Sequence, residues 1–330
     1  MWRIRVICGI IFMLKGIGNI MGRDEERKVF IVYNTACLGD VLLCNSLIQN
    51  IKNVYSDSKV VFVCDKKFKD AALYQEGVDE VVVFDKKGEN KGLFGILKFV
   101  KNFKYKNPYV SIITYHNERN YIIARLTGSQ KVVMQKKKTA EISVQERHNM
   151  LLKDIKDLNI QNFPIKYNVP SEISESVLKM TNNSKDYITV CPVSKKKEKD
   201  IPTEVCVEII KKLNQEGINV VFTGAGEKSL KYSEILEQSG CKFVNLVNKT
   251  SISELAAVIK NSRLLLSVDT GTMHLGTAVG ALTLAVWYEK STENLWFPNS
   301  KMYKISLIDS NQTSENIVNK VKEIYYVKYV

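Results

Sequence analysis

A chain of 330 residues is longer than one hydrophobic core usually serves, so two domains of ordinary size are expected. Hydrophobic residues at 45% and charged residues at 25% are those of a soluble globular protein and exclude disorder over any long stretch. The net charge of +13 suits an anionic partner or reflects a lysine-rich composition, and the lack of an aromatic-rich basic stripe or a helix-turn-helix signature argues against nucleic acid.

Residues 1–27 form a separate apolar segment, with Arg3 and Arg5 ahead of Val6 to Leu14. It is shorter than the roughly 20 apolar residues of a membrane span. Two readings stay open: an interfacial helix on an anionic membrane, or an extension upstream of a start at Met21. From Lys28 short apolar runs alternate with helical ones. Val29–Tyr33 reads as a strand, Val41–Val54 as a helix of near 3.6 period, Lys59–Cys64 and Val81–Phe84 as strands. Leu93–Val100 reads as a helix, Val110–Thr114 as a strand and Val144–Leu158 as a long helix. Gln161 to Pro170, with Pro164 and Pro170, breaks the rhythm and is expected to link two domains, 28–165 and 166–330.

The alternation then restarts. After a helix at Ile173–Met180, strands are expected at Tyr187–Cys191, Asn219–Thr223, Phe243–Leu246, Leu264–Ser267 and Leu282–Val286. Helices are expected at Thr203–Glu216, Glu227–Ser239, Ile252–Asn261, Met273–Val279 and Glu315–Tyr325. This is an α/β chain with two Rossmann-like parallel-sheet domains in series. In such sheets ligands bind beyond the carboxyl ends of the strands, so the chemistry belongs on the loops that follow them.

Four such loops carry polar residues. Asn34 to Asp40 follows the first strand, and a carboxylate at Asp40 opening a helix is held ionised by free N–H groups; the plainer reading is an N-cap. Ser194, Lys195 and Lys199 lie in a lysine-rich loop before a helix, which suits a diphosphate or is simply a solvated surface. Gly224 and Gly226 let a ligand approach backbone, and Glu227 can accept ribose hydroxyls, but Ser229 stands where a nicotinamide-binding G-x-G-x-x-G needs its third glycine. Asp269, Thr270, Gly271 and His274 make a fourth turn, with donors for a phosphate and a histidine that is either functional or a core residue. Lys66, Lys67 and Arg119 follow strands of the first unit and can meet acidic sugars or phosphates, or are surface charge. The seven cysteines contain no C-x-x-C and several lie in apolar runs, which fits free thiols in a reducing compartment. The three histidines are far apart, so no His-rich metal site is expected. No D-x-D, no P-loop and no G-x-S-x-G occurs.

Together these loops resemble glycosyltransferase family 9, the heptosyltransferases, over nearly all of the chain from Val29. Leu38-Gly39-Asp40-Val41-Leu42-Leu43 matches at the N-terminal side, and Asp269-Thr270-Gly271-Thr272-Met273-His274-Leu275 is similar to the family's D-T-G-x-x-H-L. Lys199-Asp200-Ile201-Pro202 resembles K-x-W-P, with Ile201 in place of the aromatic, and Thr250 to Leu255 resembles T-S-L-x-E-L. The resemblance implies the GT-B fold, two Rossmann-like domains facing a cleft, and an inverting, metal-independent sugar transfer needing no cofactor. Asp40 would be the base. Ser194, Lys195, Lys199, Thr250, Thr270 and Gly271 would hold the donor, Glu227 its ribose, and Asp269 and His274 would shape the sugar pocket. ADP-heptose is the family's leading donor. The acceptor would be an anionic glycolipid of the lipopolysaccharide core, met by a cytoplasmic protein in peripheral contact with an anionic membrane. A non-catalytic nucleotide-sugar-binding protein and a nucleotide-sugar epimerase of related fold are the alternatives; Asp40 argues against the first, and no acid–base pair marks the second.

Overall fold

The computed structural model describes residues 27–136, 142–155, 159–288, 290–309 and 313–326. The apolar segment read as 1–27 therefore lies, up to residue 26, outside the described residues. The first unit runs β1 (Val29–Asn34), α1 (Leu38–Leu43), α2 (Asn45–Val54), β2 (Lys59–Cys64), α3 (Lys69–Leu73), β3 (Glu80–Val83), α4 (Gly92–Asn102), β4 (Val110–Ile113), α5 (Glu118–Leu126), β5 (Lys131–Met134) and α6 (Val144–Met150). The second runs α7 (Ser171–Ser176), β6 (Ile188–Cys191), α8 (Thr203–Gln215), β7 (Val220–Phe222), α9 (Glu227–Gln238), β8 (Val244–Asn245) and α10 (Ile252–Asn261). It continues with β9 (Leu264–Val268), α11 (Gly271–Ala278), β10 (Thr283–Trp287), α12 (Lys290–Trp296), β11 (Ile305–Asp309) and α13 (Ser314–Tyr326).

Both sheets are parallel and doubly wound. The first has the order β3-β2-β1-β4-β5, the second β11-β10-β9-β6-β7-β8. In each, the strand order reverses between the opening strand and its fourth: β1 pairs β4 and β6 pairs β9. Each switch point opens a crevice at the carboxyl edge, and there α1, the Pro192–Ser194 loop and α11 begin.

The central strands are buried on both faces, as their near-continuous Val, Ile, Leu and Phe runs require. One apolar cluster crosses from sheet to sheet through Leu42 and Leu43 of α1 and Met273 and Leu275 of α11. Separate clusters fill the outer faces of the two sheets. The segment 161–170 is fastened to both units. Gln49 and Asn50 of α2 donate to the carbonyls of Pro164 and Gln161 at 2.7 Å. On the other side the Tyr167 N–H donates to the Ala278 carbonyl at 2.9 Å.

Several expected elements differ. The helix expected over Val41–Val54 starts at Leu38 and breaks at Cys44. The Asp40 carbonyl is taken by the Asn34 amide and the Cys44 thiol, both at 3.2 Å, so the Cys44 N–H turns to Val41 instead. The helix expected over Val144–Leu158 ends at Met150 and tightens into a 3-10 turn at Leu151–Asp154; residues 156–158 lie outside the described residues. Five elements were not expected: α3, α5, β5, α12 and β11.

Candidate active site

Eleven of the residues singled out border one cavity of about 830 Å³ between the units: Asp40, Lys67, Ser194, Lys195, Lys199, Glu227, Thr250, Asp269, Thr270, Gly271 and His274. Lys66 and Arg119 do not. Lys66 lies exposed in the turn after β2, and the Arg119 guanidinium stacks 6.0 Å above the Phe84 ring.

The cavity exists because two helix starts meet. A Cβ on Gly39 of α1 would lie 2.8 Å from His274 Cδ2, and one on Gly271 of α11 would lie 2.7 Å from Leu38 Cβ. Only glycine at both positions lets the helices approach this closely. The approach brings the first turn of α1, with Asp40, against the first turn of α11.

Asp40 is not the N-cap. Cys37 holds that position in extended backbone, and Asp40 is the third residue of the helix. Its carboxylate accepts hydrogen bonds from the N–H groups of Cys37 and of Asp40 itself, the N-terminal donors that a helix leaves free. Burial raises its pKa above the ordinary carboxylate value, while these bonds and the charges of Lys195 and Arg147 pull the other way. The result is a half-buried carboxylate whose pKa lies above the ordinary carboxylate value.

The loop after β6 supplies the cations. The Ile201 N–H closes it onto the Pro192 carbonyl at 3.0 Å, and Ile201 is wholly buried in the outer core of the second sheet. An aliphatic residue in place of the aromatic therefore anchors the loop through packing. Ser194 is turned inward: its hydroxyl donates to the Lys196 carbonyl at 2.7 Å and accepts from the Lys196 N–H at 3.1 Å. Lys199 is paired with Asp269 and Lys228 with Asp200, the latter at 2.7 Å. Lys195 reaches across the cleft to the Cys37 sulfur at 3.1 Å, so a cation of the lysine-rich loop touches the loop that carries Asp40.

More of the cavity border comes from α9, α11 and the turns before them. Gly226 takes φ +86°, where a side chain would be strained, and its N–H donates to Asn248 Oδ1 at 2.7 Å. Glu227 opens α9, exposed and paired with Lys231 at 2.9 Å. The extended Thr270 caps α11 without a side-chain hydrogen bond, and Gly271 and Thr272 at its start border the cavity, where a helix N-terminus favours an anion. His274 is wholly buried, 6.4 Å from the Trp296 ring, and its Nδ1 has no hydrogen-bond partner among the described residues. Burial and then the Lys199 charge lower its pKa to about 4, so it stays neutral.

Sequence reasoning missed Arg147, Asn248, Lys228 and Trp296. The capping box at Ser143 and Glu146 marks the start of α6 and was legible, but nothing local says that Arg147 faces Asp40. Among the described residues no group of three or more His, Cys, Asp or Glu is arranged to hold a metal ion, and the six cysteines are free.

Known proteins share this architecture. The family model for glycosyltransferase family 9 (heptosyltransferase) matches residues 118–325. The lipopolysaccharide core heptosyltransferase OpsX of Haemophilus influenzae is 23% identical over 282 residues, 80% of each chain. Among solved structures, the family 9 glycosyl transferase of Veillonella parvula superposes with a TM-score of 0.81 at 19% identity, over 94% of this chain and all of its own. The E. coli heptosyltransferase WaaC with ADP gives 0.73 at 16%, over 90% of this chain and 99% of its own. The fold is GT-B, and the chain belongs to glycosyltransferase family 9, the heptosyltransferases.

Proposed function

We propose that this glycosyltransferase moves heptose from ADP-heptose onto a lipopolysaccharide core acceptor, with inversion at the anomeric carbon and without a metal ion. One observation carries the reading: a half-buried carboxylate, Asp40, faces a loop of lysines and a free helix N-terminus across a single cavity. The name of the H. influenzae relative supports the acceptor, and the ADP in the E. coli structure supports the nucleotide.

In the step proposed, Asp40 takes the proton of an acceptor hydroxyl as that oxygen attacks the anomeric carbon. The bond from that carbon to the diphosphate breaks on the opposite face, and the electron pair leaves with the phosphate oxygen. Charge then grows on the diphosphate. Lys195 and Lys199 with the Gly271 and Thr272 N–H groups, all at the border of the cavity, would meet it in the place of a divalent cation. His274, neutral to about pH 4, serves as a hydrogen-bonding wall and not as an acid. Gly226, Glu227 and Thr250 border the end where adenosine would lie.

The test is Asp40→Ala, assayed in excess chelator. Turnover should fall by about 10²–10⁴-fold. The thermal stabilisation by ADP should persist, because a base acts on the transition state and not on donor binding. Unchanged turnover removes Asp40 from the mechanism, and a parent enzyme that works only when magnesium is restored removes the metal-free step.

A further inference from the structure

Helix α4 has two faces. Gly95, Ile96 and Phe99 are buried against the first sheet. The opposite face carries Leu93 at 57% exposure, Phe94 at 88% and Leu97 at 38%. At 100° per residue these three form one ridge with Lys98 and Lys101 beside it. A single exposed leucine needs no explanation, but three adjacent large apolar side chains do. Between residues 86 and 106 the chain has seven lysines and one acid, Glu89.

The helix is also tied to the cleft. It follows β3, so its first turn lies at the carboxyl edge of the sheet, the edge on which Asp40 sits. Lys86, in the connection before it, donates to the Thr35 carbonyl at 2.6 Å and pairs with Asp65 at 3.5 Å. Thr35 follows β1 and Asp65 follows β2, so the β3–α4 connection is braced against the rim of the site.

We infer that α4 docks the protein on an anionic lipid bilayer, with Leu93, Phe94 and Leu97 entering the headgroup boundary and the lysines meeting the lipid charge. An apolar ridge bordered by cations is complementary to such a surface on both counts. A protein partner would need matching acids and a concave apolar seat, and nothing in this helix selects for one. The inference deepens the proposed acceptor chemistry, since a glycolipid core is presented at a bilayer, and docking at the rim would bring the cleft to it.

The test uses the full chain and vesicles of phosphatidylcholine alone or with one quarter phosphatidylglycerol. The parent should sediment with the anionic vesicles and far less with the neutral ones. Phe94→Ser with Leu97→Ser should weaken that binding about tenfold or more, and Lys98→Gln with Lys101→Gln should weaken it and flatten its salt dependence. Phe94→Trp should add emission that shifts to the blue on anionic vesicles, a readout blind to any other membrane contact. Undiminished binding by the serine pair, or tryptophan emission that does not shift, overturns the inference. So does a serine pair that changes only the mass of the protein in solution, which would make the ridge a contact between copies. Turnover on a water-soluble acceptor should be the same in parent and serine pair. Vesicle binding should be the same in parent and Asp40→Ala, so the docking surface and the catalytic reading fail separately.

Discussion

Gly271→Ala is the sharpest probe of the joint between the two units. Its Cβ would come to 2.7 Å from Leu38 Cβ, 2.9 Å from Cγ and 3.0 Å from Cδ2. Ordinary carbon contacts lie at about 3.5–4.0 Å, so α1 and α11 must separate by about 1 Å. Leu38 is two residues from Asp40 on the same short helix, so the base moves with it. The donor contacts proposed for Thr270 and the α11 N-terminus stay with the second unit. A misplacement of about 1 Å costs about 10²-fold in rate, and that loss should fall on kcat. The Kd for ADP, measured by titration calorimetry, should change by less than about threefold, because uniform donor binding is untouched. Alanine is a better helix former than glycine, so the loss is not one of local propensity. Adding Leu38→Gly removes all three close atoms and should restore part of the rate. A folded Gly271→Ala enzyme with kcat within about twofold of the parent would refute the claim that this contact sets the catalytic distance.

The buried histidines and the cleft cations give pH-dependent outcomes. His148 and His274 both have folded pKa values near 4, burial being the main cause, against an ordinary 6.5. Between pH 7 and pH 5 each unfolded imidazole takes up about three-quarters of a proton and each folded one about a tenth, so stability present above 6.5 is lost as pH falls, by about 2 kcal/mol per histidine. The stability difference between parent and His274→Gln, from urea unfolding, should shrink by that amount over the same range; an unchanged difference refutes the neutral buried state. Lys195→Met removes a charge that lowers the Asp40 pKa, so the acidic limb of kcat/KM should move to higher pH, and Lys195→Arg should leave it in place. A limb that does not move with Lys195→Met takes Lys195 out of the field of the base.

Most of the fold was legible because buried parallel strands read as continuous apolar runs. β1, β2, β6 and β9 are of this kind, and each is close to its expected place. The elements missed lack that signal. In α5, Asn120 is buried while its chain neighbours Arg119 and Tyr121 are exposed, so the apolar period is broken by a polar residue facing inward. β5 is an edge strand of four residues that opens with the exposed Lys131, and β11 is an edge strand of the second sheet with Leu307 exposed. The break at Cys44 was invisible because its cause is tertiary: Asn34, from the preceding strand, claims a carbonyl that α1 would otherwise use.

The site was legible as residue types but not as a geometry. Gly39 and Gly271 look alike in sequence, each in a strand-to-helix turn, and either is explained locally by a tight turn. Neither has a positive φ. What each glycine does is admit a side chain of the other unit, His274 to one and Leu38 to the other. That reciprocity makes the two loops one site. It also sets opposing influences on the proposed base, Asp40: the helix N–H groups that favour its anion act against burial, with Lys195 reaching over from the lysine-rich loop. Were that burial relieved, the same helix N–H groups would pull the carboxylate pKa down. The tuning of the base is therefore a property of the closed pair of units, and any change that parts α1 from α11 should weaken both the distance and the basicity on which the proposed transfer depends.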